Sequence, residues 1–359
     1  MKWGMFCLSQ FPDQSRRVEG IDLDMSHYEL AETLGYDTIW LAEHLFSPYS
    51  IVNSTQVLAA AVAQRTTRIK IGTAVSIIPF NHPLRTAGDF ALVDILSHGR
   101  LLYGAGRAYQ PPEFEALEIP MEHSRAMFEE GLGIIVKAWT EDKITHAGTF
   151  WNIDKPTEVL PKPIQKPHPP VYQATSSPES FISAARHGWH PMMATTFLYR
   201  VYRDAWKNEL SESLALYEQA CVEHDRDPRG AERMLLVMFL VDETTARAKA
   251  RYARHLEWFY DILAGKLTQT DRIVTGYELS MNEGYKTGEG GYLEFDKVEQ
   301  YGAAIVGDPA IVHRPTTGTQ RALRTNRNRA VEQHWRHPSR TCRAVNAARH
   351  RQSHSLCLM

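Results

Sequence analysis

Short apolar runs alternate with amphipathic stretches along most of the chain. Runs rich in β-branched and aromatic residues predict strands, and apolar positions repeating every three or four residues predict helices. The alternation predicts a parallel sheet with crossover helices, and about seven strands favour a closed (β/α)8 TIM barrel. The predicted strands are Trp3–Leu8, Thr38–Leu41, Arg68–Val75, Leu101–Gly106, Val171–Ala174, Pro191–Ala194 and Met234–Val241; the predicted helices are Asp22–Leu34, Asn53–Gln64, Pro83–Leu96, Ser124–Thr140, Pro178–Arg186, Tyr199–Glu223 and Ala246–Leu263; Ile144–Ile153 is predicted as a hairpin.

Two regions depart from this alternation. Thr268–Tyr301, inside a barrel domain expected over residues 1–310, is polar and glycine-rich, which predicts a mobile loop, either a lid or a plain surface insertion. Residues 311–359 contain ten arginines, no lysine and one acid, Glu332, and no eighth strand is evident there. This composition resembles out-of-frame translation. Our hypothesis is a disordered tail or a frameshifted or truncated gene end, which resequencing of the source locus would test.

Charge and cysteine usage narrow the class of protein. The net charge of −2 gives no reason to expect a nucleic-acid or membrane partner. The cysteines are scattered without a C-x-x-C pair, so neither a disulfide framework nor a metal site is predicted. No signal peptide or long apolar span is evident. We therefore expect a cytoplasmic enzyme.

Active sites of such barrels lie at the carboxyl ends of the strands. His44 follows the second predicted strand, and histidine exchanges protons near neutral pH. The adjacent Glu43 is expected to orient or tune it. A structural hydrogen-bonding role for His44 is the alternative. The third strand ends in Gly72-Thr73-Ala74-Val75-Ser76, whose small residues would let a flat ligand lie against the backbone. The alternative is that the glycine and alanine only relieve crowding in the core.

The residues that follow the next predicted strand suggest a binding site for an anion. Arg107 follows Gly104-Ala105-Gly106, but Tyr109 replaces the last glycine of a dinucleotide fingerprint, which argues against a Rossmann site. The planar guanidinium suits a phosphate, with a salt bridge to a helix acid as the alternative.

Hydroxyl groups precede a later helix. Thr175 and Ser176 lie just before the helix that starts with Pro178, where free N–H groups favour phosphate. Ser176 and Glu179 are also spaced as a capping box. Together, these strand ends fit a mononucleotide cofactor with a planar ring.

Several blocks, in order from about residue 1 to residue 309, closely resemble the bacterial luciferase-like flavin-dependent monooxygenase family. Matching several ordered blocks is more specific than any single motif. The blocks are Trp40–His44, Arg68–Val75, Pro79 with His82–Arg85, Ser97–Leu101, Gly104-x-Gly106-Arg107 and Ser124–Ala126.

The resemblance implies FMN at the carboxyl-terminal mouth of the barrel. Gly106 stands where the light-emitting luciferase subunit has a reactive cysteine, which argues against aldehyde-linked light emission. By the same resemblance, Ala74 and Val75 lie under the isoalloxazine, often across a non-proline cis peptide. The resemblance also assigns His44 as catalytic, with Glu43 beside it. It places four more residues in the cofactor site, the last three near the phosphate: Gly106, Arg107, Thr175 and Ser176.

The implied reaction uses reduced FMN and O2 to oxygenate a small organic substrate through a flavin C4a-hydroperoxide. A separate flavin reductase is expected because no second nucleotide-binding domain is evident, and relatives are often homodimers. An aromatic or polyketide-type metabolite is as compatible as a long aldehyde. The candidates for an apolar mouth are Phe46, Tyr49, Tyr109 and Trp189, and a place in the core is the alternative for these residues. A deazaflavin-dependent hydride-transfer enzyme and a non-catalytic flavin-binding protein stay open as alternatives.

Overall fold

The computed structural model describes residues 2–196, 198, 205–267, 274, 277, 295–309 and 357–358. The strands are β1 (Gly4–Cys7), β2 (Thr38–Leu41), β3 (Lys70–Thr73), β4 (Ser76–Ile77), β5 (Leu101–Gly106), β6 (Ile144–Ala147), β7 (Asn152–Thr157), β8 (Val171–Ala174), β9 (His190–Ala194), β10 (Met234–Leu236), β11 (Met238–Val241), β12 (Ala304–Gly307) and β13 (Cys357–Leu358). The α-helices are α1 (Arg17–Thr33), α2 (Thr55–Arg65), α3 (Pro83–Leu96), α4 (Pro111–Ala116), α5 (Ser124–Thr140), α6 (Pro178–His187), α7 (Trp206–Glu223), α8 (Thr245–Leu267) and α9 (Phe295–Gln300).

The strands form a mostly parallel sheet that is nearly closed as a barrel. Parallel pairing runs in the order β1, β2, β3, β5, β8, β9 and β10, and the helices surround the sheet. A second parallel ladder joins β11 to β12, and β13 lies antiparallel to β1. The predicted TIM-barrel fold is confirmed.

Glycines permit the close approach of neighbouring strands. A Cβ added at Gly72 would lie 2.2 Å from the Trp40 ring, and one at Gly104 would lie 1.8 Å from the carbonyl oxygen of Thr73. Both contacts are far below van der Waals distance, so these positions accept only glycine. The crowding explanation offered for small residues at the third strand therefore holds for Gly72.

Arg100 fastens the start of β5 to the end of α2. Its buried guanidinium donates to the carbonyls of Ala63, Thr66 and Ile69 and to the hydroxyl of Thr66. The last carbonyls of a helix lack partners within the helix, and this side chain satisfies them. It thereby fixes the amino-terminal ends of β3 and β5, whose carboxyl-terminal ends line the cavity described below.

Two long predicted strands differ in the structure. Arg68–Val75 contains only the shorter β3, and β4 follows beyond its predicted end. Met234–Val241 is divided into β10 and β11, which belong to different ladders. Apolar continuity does not reveal such a break, because the pairing partner changes rather than the composition. The predicted single strands were wrong at these points.

Further elements were not predicted. Strand β12, helix α4 and the two-residue β13 were missed, and α9 lies within the segment expected to be a loop. Helix α1 begins five residues before the predicted Asp22. Three predicted regions lie outside the described residues: most of the loop over 268–301, residues 199–204 of a predicted helix, and the tail over 311–356 with 359. The domain boundary and the tail hypothesis therefore stay predictions.

No helix in the described part of the chain is long and apolar enough to cross a bilayer.

Candidate active site

A cavity opens at the carboxyl ends of the barrel strands. The space within it that can hold water-sized molecules is about 230 Å³. Of the aromatic residues expected at the mouth, Tyr49 and Tyr109 line it, whereas Phe46 is exposed on the loop after β2 and Trp189 is buried against His187. The structure brings every predicted site residue to this cavity: Glu43, His44, Ala74, Val75, Gly106, Arg107, Thr175 and Ser176.

His44 is held at one end of the cavity by buried polar side chains. Its Nδ1 lies 3.0 Å from Oε1 of Glu113 and 3.2 Å from Nε2 of Gln110. An ionised carboxylate only accepts hydrogen bonds, so the contact with Glu113 requires a hydrogen on Nδ1. The Gln110 amide nitrogen is itself a donor and, in that tautomer, lies beside Nδ1 without a hydrogen bond to it. The other ring nitrogen, Nε2, lies 3.3 Å from the hydroxyl of Tyr109. Nε2 is therefore the atom at which His44 can exchange a proton within the cavity.

The orienting contact expected from Glu43 is made by Glu113 instead. Glu43 accepts hydrogen bonds from the N–H and hydroxyl of Thr55 (2.7 and 2.9 Å) and from the N–H of Ile77 (2.9 Å). Burial raises the pKa of Glu43, although these three hydrogen bonds oppose the shift. The Glu43 carboxylate is engaged by the start of α2 and by β4 rather than by the His44 ring.

Glu113 was missed because it lies on α4, a six-residue helix without a visible apolar period. Pro111 and Pro112, at the first positions of that helix, were the available signal, since proline is favoured at a helix start. Glu113 is 1 % exposed and also accepts the N–H of Leu45 at 2.7 Å. It thus holds both the ring and the backbone after His44.

The middle of the cavity is a flat surface built by Ala74, Val75 and Gly106. The Ala74–Val75 peptide is cis, as the resemblance predicted. A Cβ added at Gly106 would lie 2.4 Å from Cγ2 of Val75, so this glycine leaves room for the valine side chain. The Thr73 hydroxyl donates to the Gly104 carbonyl at 2.7 Å and ties β3 to β5 below this surface.

Two arginines mark the other end of the cavity. The Arg107 guanidinium lies 4.1 Å from the centroid of the Tyr277 ring, and Arg125 lies 3.7 Å from the carboxylate of Glu179. Tyr277 comes from the segment predicted as a loop, and nothing in its local sequence indicated this role. Arg125 on α5 forms a salt bridge with Glu179 on α6, which is the kind of contact that was weighed as the alternative for Arg107.

Glu129 lines the same end and links α5 to α6. It accepts a hydrogen bond from the hydroxyl of Ser183 at 2.5 Å and pairs with Arg186 at 3.3 Å and His187 at 3.6 Å. Burial acts to raise the pKa of Glu129, but these partners outweigh it, so the pKa is lowered. Its carboxylate is therefore ionised at neutral pH.

The hydroxyl-rich start of α6 differs from its predicted geometry. The capping box joins Ser177 to Ser180, one residue later than the predicted Ser176 and Glu179 pair. Thr175 donates both its N–H and its hydroxyl to the carbonyl of Met192, at 2.8 and 3.1 Å. Thr175 therefore lines the cavity while its donors are engaged in the sheet.

The residues present fit a cofactor that carries both an anionic group and a planar ring. Along the strand order β2, β3, β5 and β8, the lining runs from the imidazole after β2, across the small residues after β3, to Arg107 after β5 and the start of α6 after β8. The profile of the luciferase-like monooxygenase family matches residues 1–327.

The chain belongs to the luciferase-like monooxygenase family.

Two of the relatives are named as monooxygenases. The chain is 27 % identical over 295 residues to the alkanal monooxygenase alpha chain of Photorhabdus luminescens, covering 82 % of this chain and 78 % of that one. It is 27 % identical to the oxygenase component of the flavin-dependent trigonelline monooxygenase of Acinetobacter baylyi, covering 73 % and 71 %. An uncharacterized Sinorhizobium fredii protein is 36 % identical, covering 46 % of this chain and about half of that protein, 47 %.

Solved structures of luciferase-like monooxygenases share the fold. Monooxygenase RslO1 from Streptomyces bottropensis superposes with a TM-score of 0.74 at 28 % identity, covering 87 % of this chain and 86 % of that one. The oxygenating constituent of 3,6-diketocamphane monooxygenase from Pseudomonas putida, in complex with FMN, has a TM-score of 0.72 at 17 % identity, covering 90 % and 88 %. These comparisons identify this luciferase-like chain as a monooxygenase-family enzyme.

Proposed function

We propose that this enzyme is an FMN-dependent monooxygenase that receives reduced FMN from a separate reductase and uses O2 to oxygenate a small apolar or aromatic substrate. One observation carries the proposal. A proton-exchanging imidazole, a flat surface and a pair of guanidinium groups line a single cavity at the strand ends. These three features match the reacting part, the ring and the phosphate of a flavin mononucleotide.

Two comparisons support the choice of cofactor and partner. The 3,6-diketocamphane monooxygenase structure is a complex with FMN. The trigonelline enzyme is named as an oxygenase component, which implies a second component in that system. Cys7 and Cys221 are buried and form no disulfide within the part of the chain that the structure describes, and we propose a cytoplasmic location.

Each part of the cavity has a distinct role in binding. Arg107 and Arg125 provide positive charge for the phosphate, and Ser176 contributes polar groups at the α6 start. Ala74 and Val75 support the ring, with Gly106 leaving room beside them. When bound, reduced FMN supplies the electrons that activate O2, while the protein supplies orientation and proton control.

His44 performs the proton transfer. Glu113 accepts the Nδ1 hydrogen and so fixes the tautomer and the ring orientation, which directs Nε2 towards the cavity. The hydroxyl of Tyr109 lies next to Nε2 and within 3.5 Å of the Tyr49 hydroxyl. His44 therefore exchanges its proton with the reacting oxygen directly or through Tyr109.

The remaining lining favours an apolar substrate and excludes water from the reacting groups. Side chains from both halves of the barrel enclose the space near His44 and give it few groups that bind ions. This lining includes Phe6, Leu8, Tyr49, Met193, Leu236 and Phe259.

We also propose that the enzyme is a homodimer packed through its early barrel helices. Val57 on α2 and Leu92 on α3 are 72 % and 48 % exposed, which gives this outer surface apolar groups to bury. Sedimentation analysis tests the assembly, and a monomer at micromolar concentration would refute it.

The central test is an anaerobic titration with reduced FMN, followed by mixing with ¹⁸O2 and a panel of apolar and aromatic compounds. We expect saturable binding of reduced FMN and, with a suitable substrate, incorporation of one ¹⁸O atom detected by mass spectrometry. Oxidation of an alcohol by a deazaflavin in the absence of O2, with no binding of reduced FMN, would overturn the proposal. Binding of FMN without any oxygen consumption would instead support a non-catalytic flavin carrier.

A further inference from the structure

Tyr277 contacts the anion-binding end of the cavity at three points. We propose that Tyr277 is a positioning residue that sets the geometry of Arg107 and of the start of α5, and thereby controls affinity for the cofactor phosphate. This inference rests on the proposed function, because it concerns the phosphate of FMN. Tyr277 itself need not touch the phosphate.

The first contact is between Tyr277 and the side chain of Arg107. The guanidinium carbon lies 4.1 Å from the ring centroid, well within the ~6 Å limit for a cation–π contact. A planar guanidinium stacked on an aromatic face loses rotamer freedom before the ligand arrives. The ring therefore lowers the entropic cost that Arg107 otherwise incurs when it binds an anion.

The second contact fixes the backbone next to Arg107. The Tyr277 hydroxyl donates to the carbonyl of Ala108 at 2.9 Å. Ala108 has a φ of 64°, in the left-handed region that a residue with a Cβ rarely adopts. The hydrogen bond holds this turn, which comes directly after Arg107 and thereby restrains the backbone that carries its guanidinium.

The third contact reaches the helix that carries Arg125. The hydroxyl of Ser124, the first residue of α5, lies 2.9 Å from the Tyr277 hydroxyl and donates to it. Ser124 is 1 % exposed and Tyr277 is 4 % exposed, so the hydrogen bond is shielded from water. One tyrosine thus links both arginines of this end of the cavity.

The electrostatics are consistent with this arrangement. Burial raises the pKa of Tyr277, although Arg107 and Arg125 act to lower it. The phenol therefore stays neutral and offers its ring and hydroxyl to the cations without adding a charge. Glu179, paired with Arg125, is the nearby carboxylate that an incoming phosphate must displace or tolerate.

The test compares dissociation constants for FMN and for riboflavin, which lacks the phosphate, in the wild-type enzyme and two variants. We expect Tyr277→Leu to raise the dissociation constant of FMN about tenfold, a cost of about 1.4 kcal/mol, and to leave that of riboflavin within about twofold. Tyr277→Phe keeps the ring and loses only the hydroxyl, so it should raise the FMN constant about threefold. Thermal unfolding and circular dichroism show whether each variant is folded.

The outcomes separate this inference from the function on which it rests. An unchanged FMN constant in Tyr277→Leu, or equal weakening of FMN and riboflavin, would overturn the positioning role. If the leucine variant does not fold, the phenylalanine variant decides, and an unchanged FMN constant there overturns the proposal. A wild-type enzyme with no preference for FMN over riboflavin would overturn the phosphate assignment itself, and the role of Tyr277 with it.

Discussion

The two ends of the cavity are built on opposite physical principles. At the His44 end the polar groups are buried and bonded to one another, with the His44 and Glu113 side chains 9 % and 1 % exposed. At the Arg107 end, Arg125 and Glu179 are 37 % and 66 % exposed. A buried network is suited to hold a reacting group in one geometry, as we propose for His44, because any rearrangement would leave a polar group without a partner. A partly exposed pair of arginines is suited to bind a charged group, as we propose for the phosphate, because that group keeps part of its hydration.

The largest expected effect tests the buried end. His44→Ala should lower single-turnover oxygenation by at least about 100-fold, since general acid–base catalysis contributes ~10²–10⁴, while binding of reduced FMN changes little. Product yield after mixing preloaded enzyme with O2 measures this, with exposed His224→Ala as the matched control. Full product formation in the His44 variant would remove the proton role.

The next largest effect tests the Arg107 end of the cavity. Arg107→Gln should raise the dissociation constant of FMN about 10- to 100-fold, because a charge-assisted hydrogen bond contributes ~1.5–3 kcal/mol. Riboflavin should bind as it does to the wild type, and Arg85→Gln, at a side chain that is 82 % exposed, is the control. A parallel loss of riboflavin affinity would mean that Arg107 supports the fold rather than the phosphate.

The next prediction compares Glu113 and Glu43, to test which of the two carboxylates orients His44. Glu113→Gln keeps the shape but loses the charge opposite His44, so we expect the rate of product formation to fall about tenfold with the substrate KM unchanged. Glu43→Gln should lower the thermal midpoint while leaving the rate within about twofold, because Glu43 bonds to Thr55 and Ile77. The reverse ranking of rates would return the orienting role to Glu43.

The smallest expected effect is a change in the free energy of unfolding caused by Glu129, at the Arg107 end of the cavity. Because its folded-state pKa lies below the ordinary value of 4.5, the Glu129 carboxylate stabilises the fold above that pH and loses its contribution as pH falls through the lowered pKa. Glu129→Gln should therefore reduce the free energy of unfolding at pH 7 by about 1 kcal/mol, and wild type and variant should converge in acid. Urea unfolding at several pH values measures this, and a pH-independent difference would contradict it.

Local pattern was sufficient for the elements that form within one stretch of chain. Helices α3 and α5 and strands β2, β5 and β8 have the predicted bounds. The predicted elements were wrong where contacts between distant segments determine the structure. At Met234–Val241, for example, the two halves pair with β9 and with β12. Strand β12 was missed for the same reason, since its four residues form a strand only beside β11.

The amino-acid sequence by itself determined the family, the barrel and the strand ends that carry His44, Ala74, Val75, Arg107 and Ser176, because periodicity and ordered motifs are local properties. Only the tertiary structure decided which groups act on them. Glu113 lies 69 residues from His44, and Tyr277 lies 170 residues from Arg107. Those partnerships depend on closure of the sheet, which brings the ends of separate strands and helices around one cavity.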